Sequence, residues 1–66
     1  MEHKEHYLLQ FFKYEHLPKH LQDVSKPFCE LAKQMDLMLG HNPEKTTALR
    51  KLLEAKDCAV RSVFFK

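Results

Sequence analysis

The sequence predicts an all-α fold, an antiparallel helical hairpin led by a short aromatic segment, and three observations predict it. Apolar residues recur at alternating steps of four and three along residues 17–39. A stop-and-start signal, Gly40-His41-Asn42-Pro43, follows directly. The 66 residues include a single glycine, too few for a turn-rich β fold. Each element follows from its own residues.

Residues 1–16 are the least regular. Tyr7-Leu8-Leu9-Gln10-Phe11-Phe12 is strongly apolar, and Tyr14 follows closely. Two aromatic turns of helix and a short strand both fit, because periodicity does not arbitrate over so few positions. Either form caps one end of a core or meets another subunit.

The first helix is expected over 17–39. Leu17, Leu21, Val24, Phe28, Leu31, Met35 and Met38 form its seam, in the manner of the a and d positions of a heptad. Pro18 suits a first turn, where its missing N–H costs nothing. Pro27 does not suit a helix interior, since it removes one hydrogen bond and crowds the carbonyl four residues back. The expectation is a kink at Pro27, or a break with Ser25 capping the restart.

Gly40 is expected to end this helix in the left-handed conformation. Asn42-Pro43-Glu44 then reads as a helix start, with an Asn cap, Pro in the first turn and an acid beside it. The second helix is expected over 43–64, with Leu49, Leu52, Leu53, Ala59, Val60 and Val63 as its apolar stripe. A three-residue loop, Gly40-His41-Asn42, makes the two helices antiparallel neighbours.

The whole is a single domain over residues 1–66. A chain this short buries only about 60% of its unfolded surface, and small folds usually need disulfides, a metal or a partner subunit. Cys29 and Cys58 are too few for a disulfide framework, and the charged N-terminus lacks the apolar core of a secretory signal. The expected setting is therefore a reducing cytoplasm with two free thiols, the alternative being a single Cys29–Cys58 bond. His16 and His20 are four apart, but Pro18 lies between them and works against a regular helical pair; His3 and His6 are terminal, and no HExxH or CxxC occurs, so no specific metal site is expected. Self-association is the expected staple. No apolar run approaches the roughly 20 residues of a membrane span.

Chemistry has few places to reside. Residues 1–42 sum to −1 and residues 43–66 to +3, with the formal net charge at +2. That field is too weak for duplex DNA. Pairs such as Arg50–Glu54 and Asp57–Arg61 fit a solvated face. Lys56 is different, because it shares a 4, 3, 4, 3, 4 seam with Lys45, Leu49, Leu52, Ala59 and Val63. A lysine there either snorkels to water or meets an anion such as a phosphate, with Thr46, Thr47 and the helix start nearby. Phe11, Phe12 and Tyr14 around Lys13 form either a hydrophobic plug or a platform for nucleobases. With no Gly-rich phosphate loop and no nucleophile beside a base, the expectation is a protein without enzymatic activity and without a cofactor.

Phe12-Lys13-Tyr14-Glu15-His16-Leu17-Pro18, Leu21-Gln22-Asp23-Val24-Ser25-Lys26-Pro27-Phe28, and Asn42-Pro43-Glu44 followed by Ala48 to Arg61 carry a resemblance. Together they resemble small phage-encoded hairpin proteins related to the anti-CBASS cyclic-oligonucleotide sponges and to the hairpin part of the Thoeris anti-defence sponges. The resemblance covers about residues 11–65, and its most specific piece is Leu52 to Phe64, ending Ala59-Val60-Arg61-Ser62-Val63-Phe64.

The resemblance implies a cytoplasmic protein of infected bacteria that binds cyclic di- or trinucleotides, or ADP-ribose derivatives, and sequesters them uncleaved. It implies hexamers built from dimers, with ligands at subunit interfaces. Bases would lie between an aromatic and a cation, and phosphates would meet Arg, Lys and hydroxyls. The positions it implies here are Phe11 or Tyr14 for stacking and Lys26, Lys56 and Arg61 for cation contacts, with Arg61 the best matched. The alternative is a helical protein–protein interaction module of phage origin that docks its apolar seam on a partner protein and binds no nucleotide.

Overall fold

A computed structural model describes residues 4–65, so that His3 and Lys66 lie outside the described residues. The described chain is helical throughout its regular parts, with no strand. A 3-10 helix, Tyr7–Phe12, leads into α1, Lys19–Met38, and α2, Pro43–Val63. The two long helices pack against each other, and the 3-10 helix touches both. The aromatic segment is thus helical rather than extended. Its period of three sets Leu9 and Phe12 on one inward side. His6 caps it, with Nδ1 accepting from the Leu8 N–H at 3.2 Å.

α1 begins two residues later than the sequence indicates. Leu17 instead closes a turn, its N–H donating to the Tyr14 carbonyl at 3.0 Å, while its own carbonyl accepts from Gln22 Nε2 at 2.7 Å. Of the two forms expected at Pro27, a kink or a break, the break does not occur, and α1 runs on through it. The missing N–H orphans the Asp23 carbonyl. Both residues are exposed, so the position lies on the solvent side of α1 rather than in the core. Ser25 is accordingly no cap; it lies fully buried inside the helix.

Gly40 is likewise not left-handed, for no described residue has a positive φ. Leu39 ends α1 in an extended conformation, its N–H donating to the Met35 carbonyl at 3.0 Å. α2 starts as the sequence indicates: Asn42 Oδ1 accepts from the Lys45 N–H at 2.8 Å, and Pro43 opens the helix.

The core lies where the three elements meet. Leu8, Leu9 and Phe12 pack on Cys29 and Ala32 of α1 and Leu49 of α2. Phe12 and Leu49 have no exposed surface. Here the sequence expectation is overturned in detail. The buried stripe of α1 is Leu21, Ser25, Cys29, Ala32 and Asp36. The expected seam shares only Leu21 with it, while Leu31 and Met38 are exposed. At about 100° per residue the helix is rotated by roughly a quarter turn from the expected orientation. Small side chains at 25, 29 and 32 let α2 and the 3-10 helix come close, and the larger ones turn to the flank.

Candidate functional site

Three places gather polar chemistry. The first is a buried charge pair. Lys45 Nζ lies 2.8 Å from Asp36 Oδ1, with the two side chains 2% and 3% exposed. Lys45 comes from the first turn of α2 and Asp36 from the last turn of α1, facing each other beside the loop. The ammonium also donates to the Asp36 carbonyl at 3.0 Å and the Leu39 carbonyl at 3.2 Å, so it satisfies carbonyls that the end of α1 leaves without partners. The 3-10 helix joins here too. The His6 N–H donates to Asp36 Oδ2 at 3.2 Å, and His6 Nε2 lies 3.2 Å from Thr46 Oγ1. Because Nδ1 already accepts from Leu8, Nε2 carries the ring proton and Thr46 accepts.

Sequence reasoning did not find this junction. Lys45 inside an apolar seam was the available signal, since a lysine there needs an anion. Nothing local marks Asp36 or His6 as its neighbours. Thr46 and Thr47, placed beside an anion by the sequence argument, are both engaged within the fold. Thr46 serves His6, and the Thr47 hydroxyl donates to the Pro43 carbonyl at 3.0 Å.

The second place is a cleft of about 380 Å³ between the 3-10 helix, the segment after it and α1. Glu5, Leu9, Lys13, Glu15, Cys29 and Lys33 line it. Hydrogen bonds from the backbone N–H groups of Glu15 and Tyr14 hold the Glu15 carboxyl below its usual range, with Lys33 and Lys13 adding to the effect. Burial pushes the Cys29 thiol up. Two acids and two lysines cancel, so this cleft has no preference for a polyanion. None of Phe11, Tyr14, Lys26, Lys56 and Arg61 lines it.

The third place is where the sequence-derived positions fall. Phe11 is half exposed, and Lys56 Nζ donates to its backbone carbonyl at 2.9 Å across 45 residues of sequence. Lys56 also pairs with Asp57 at 3.3 Å and keeps 13% of its side chain exposed. It therefore reaches the surface at the C-terminal end of the 3-10 helix rather than crossing the core. Tyr14 is half-buried against the core cluster. Lys26 is exposed on α1, 3.8 Å from Glu30. Arg61 is exposed near the end of α2, where Nη2 donates to Cys58 Sγ at 3.2 Å. Asp57, expected beside Arg61, is taken by Lys56. His20, weighed as half of a metal pair with His16, instead meets Phe64 edge to face at 6.3 Å. The fold thus brings Phe11 and Lys56 together, while Lys26 and Arg61 stand on separate helices.

No family model, curated protein or solved structure matches the chain. The described residues contain no helix long and apolar enough to cross a membrane.

Proposed function

We propose that this chain is a non-catalytic phage sponge. In this reading it binds cyclic di- or trinucleotide immune signals in the cytoplasm of infected bacteria and sequesters them, as an oligomer of hairpins. One observation carries the reading beyond the resemblance: the ammonium of Lys56 reaches the backbone carbonyl of Phe11, a half-exposed residue, from a distant part of the chain. An aromatic face beside a cation is what a nucleobase next to its phosphate requires, and stacking contributes about 1–3 kcal/mol per base. Lys56 uses its present partners for only part of its three-donor capacity. Arg61 and Lys26, both solvent-facing, would be supplied to such a ligand from neighbouring copies.

The test is thermal-shift and calorimetric titration with cyclic GMP–AMP, cyclic triadenylate and cyclic ADP-ribose isomers, followed by recovery of the ligand after denaturation. A shift with intact ligand recovered, lost in Phe11→Ala and Arg61→Ala, supports the sponge. No shift with any member of the panel ends it.

The second reading is an interaction module without nucleotide affinity. It is favoured by the apolar side chains left exposed on α1 and at the C-terminus, among them Leu31, Met38, Phe64 and Phe65. A stable protein partner on pull-down, together with a null nucleotide panel, distinguishes it.

A further inference from the structure

The cleft between the 3-10 helix, the segment after it and α1 takes no part in the proposed nucleotide contacts. Its floor is Leu9 and Cys29, which also belong to the core and are held in place by packing. Burial pushes the Cys29 thiol up, so the floor carries no charge near neutral pH and behaves as a small apolar surface. The rim is charged. Glu5 precedes the 3-10 helix, Lys13 and Glu15 follow it, and Lys33 stands one turn beyond Cys29 on α1.

These rim groups converge without joining. Among the described residues no ion pair links either acid to either lysine. Elsewhere on the surface neighbouring charges do pair, Lys19 with Asp23 and Lys26 with Glu30. Glu30, three residues from Lys33, is thereby engaged on another side of α1. Glu15 turns its carboxylate back to accept from the Tyr14 N–H at 3.2 Å. That leaves one carboxylate, Glu5, and two ammonium groups, Lys13 and Lys33, around an uncharged floor, with no contact partner among the described residues.

We propose that this cleft binds a small zwitterion of the amino-acid class. Its ammonium pairs with Glu5, its carboxylate bridges Lys13 and Lys33, and its apolar side chain rests on Leu9 and Cys29. Charge selects the class. An anion alone leaves Glu5 unpaired, and a cation alone leaves the lysines unpaired. A molecule with both charges meets each group and adds no net charge to a rim that already sums to zero. Size agrees, because about 380 Å³ is at the lower end of the roughly 300–1,000 Å³ of small-molecule sites and accommodates an amino acid or a dipeptide. None of the positions assigned to nucleotide contact lines the cleft, so the site does not depend on the sponge reading.

The experiment is amide chemical-shift mapping by NMR on the isotope-labelled full chain. The probes are L-leucine, leucyl-leucine (whose charges stand farther apart), leucinamide with only the cation, and N-acetyl-leucine with only the anion. Each is taken to about 20 mM, where even a millimolar site saturates. Saturable shifts at Glu5, Leu9, Lys13, Cys29 and Lys33 are expected with at least one zwitterion, and binding about tenfold or more weaker with either single-charge analogue. Glu5→Gln and, separately, Lys33→Gln are expected to weaken the zwitterion by about tenfold. Lys51→Gln, exposed on α2, is expected to leave it unchanged. All three positions are exposed, the dispersion of each spectrum reports folding, and Lys13→Gln replaces any variant that does not fold. No saturable shift at the cleft with either zwitterion overturns the proposal. So does equal binding of leucinamide or N-acetyl-leucine, and so do cleft variants that bind as the wild type does.

Discussion

At the residue scale the most consequential feature is the Asp36–Lys45 pair. Two charges removed from water are tolerated because the ammonium has three acceptors and the carboxylate also takes the His6 N–H. Removing one partner strands the other. Lys45→Met or Asp36→Leu alone is expected to lower the unfolding free energy by about 3–5 kcal/mol. The double variant is expected to lose less than the two singles summed, and urea denaturation of all four proteins measures the coupling. The thiols give a second expectation. Cys29 is buried while Cys58 is exposed, and the two are unpaired. An alkylating reagent should modify Cys58 first in the native state and Cys29 only on unfolding, as read by mass spectrometry. Burial holds the Cys29 thiol above its unfolded value. The fold therefore keeps that contribution below the ordinary thiol range and loses it as pH rises through the raised value, so Cys29→Ser should flatten stability on the alkaline side.

At the scale of elements, α1 and the loop behave differently from their sequence signals. Pro27 remains within a continuous helix because it faces water. Restoring the N–H with Pro27→Ala should stabilise the chain, by about 1–3 kcal/mol in a denaturant melt, since the interior proline penalty is relieved and no buried contact is lost. Gly40 provides no left-handed turn, and a Cβ built there meets nothing within 4 Å. Gly40→Ala should consequently be neutral or raise stability by about 0.4–1 kcal/mol through the unfolded chain. A drop of more than that would show that the loop needs glycine's conformational freedom. The 3-10 helix, by contrast, draws its stability from tertiary contacts. Six residues do not hold a helix alone. It persists through the His6 cap, the Asp36 bond and the burial of Leu8, Leu9 and Phe12.

At the scale of the molecule, Phe12 joins the 3-10 helix to both long helices, and it has no exposed surface. Phe12→Ala should cost about 3–5 kcal/mol, a large fraction of what a domain this small possesses, and a lowered thermal midpoint would register it. Loss of the same size at exposed Phe11 is not expected, so the pair of variants separates core from surface roles within one segment.

The helices, their order and the position of the connection between them were legible in the sequence. Those features depend on local rules: apolar spacing, an Asn-Pro start, and a loop too short to allow anything but neighbouring helices. The rotation of α1 was not legible. Counting apolar residues selects the seam of Leu31 and Met38, whereas the fold buries Ser25, Cys29 and Ala32. Close approach of three elements favours small side chains at the junction, and that constraint exists only once the third element is in place. The polar junction of His6, Asp36, Lys45 and Thr46 was hidden for the same reason, since its members come from three separate segments. So was the meeting of Phe11 with Lys56, across 45 residues. The sequence alone determined that two helices form and where the second begins. Tertiary packing decided which faces they turn inward and that Leu31 and Met38 stay exposed, because burial is shared among elements and no single segment encodes it.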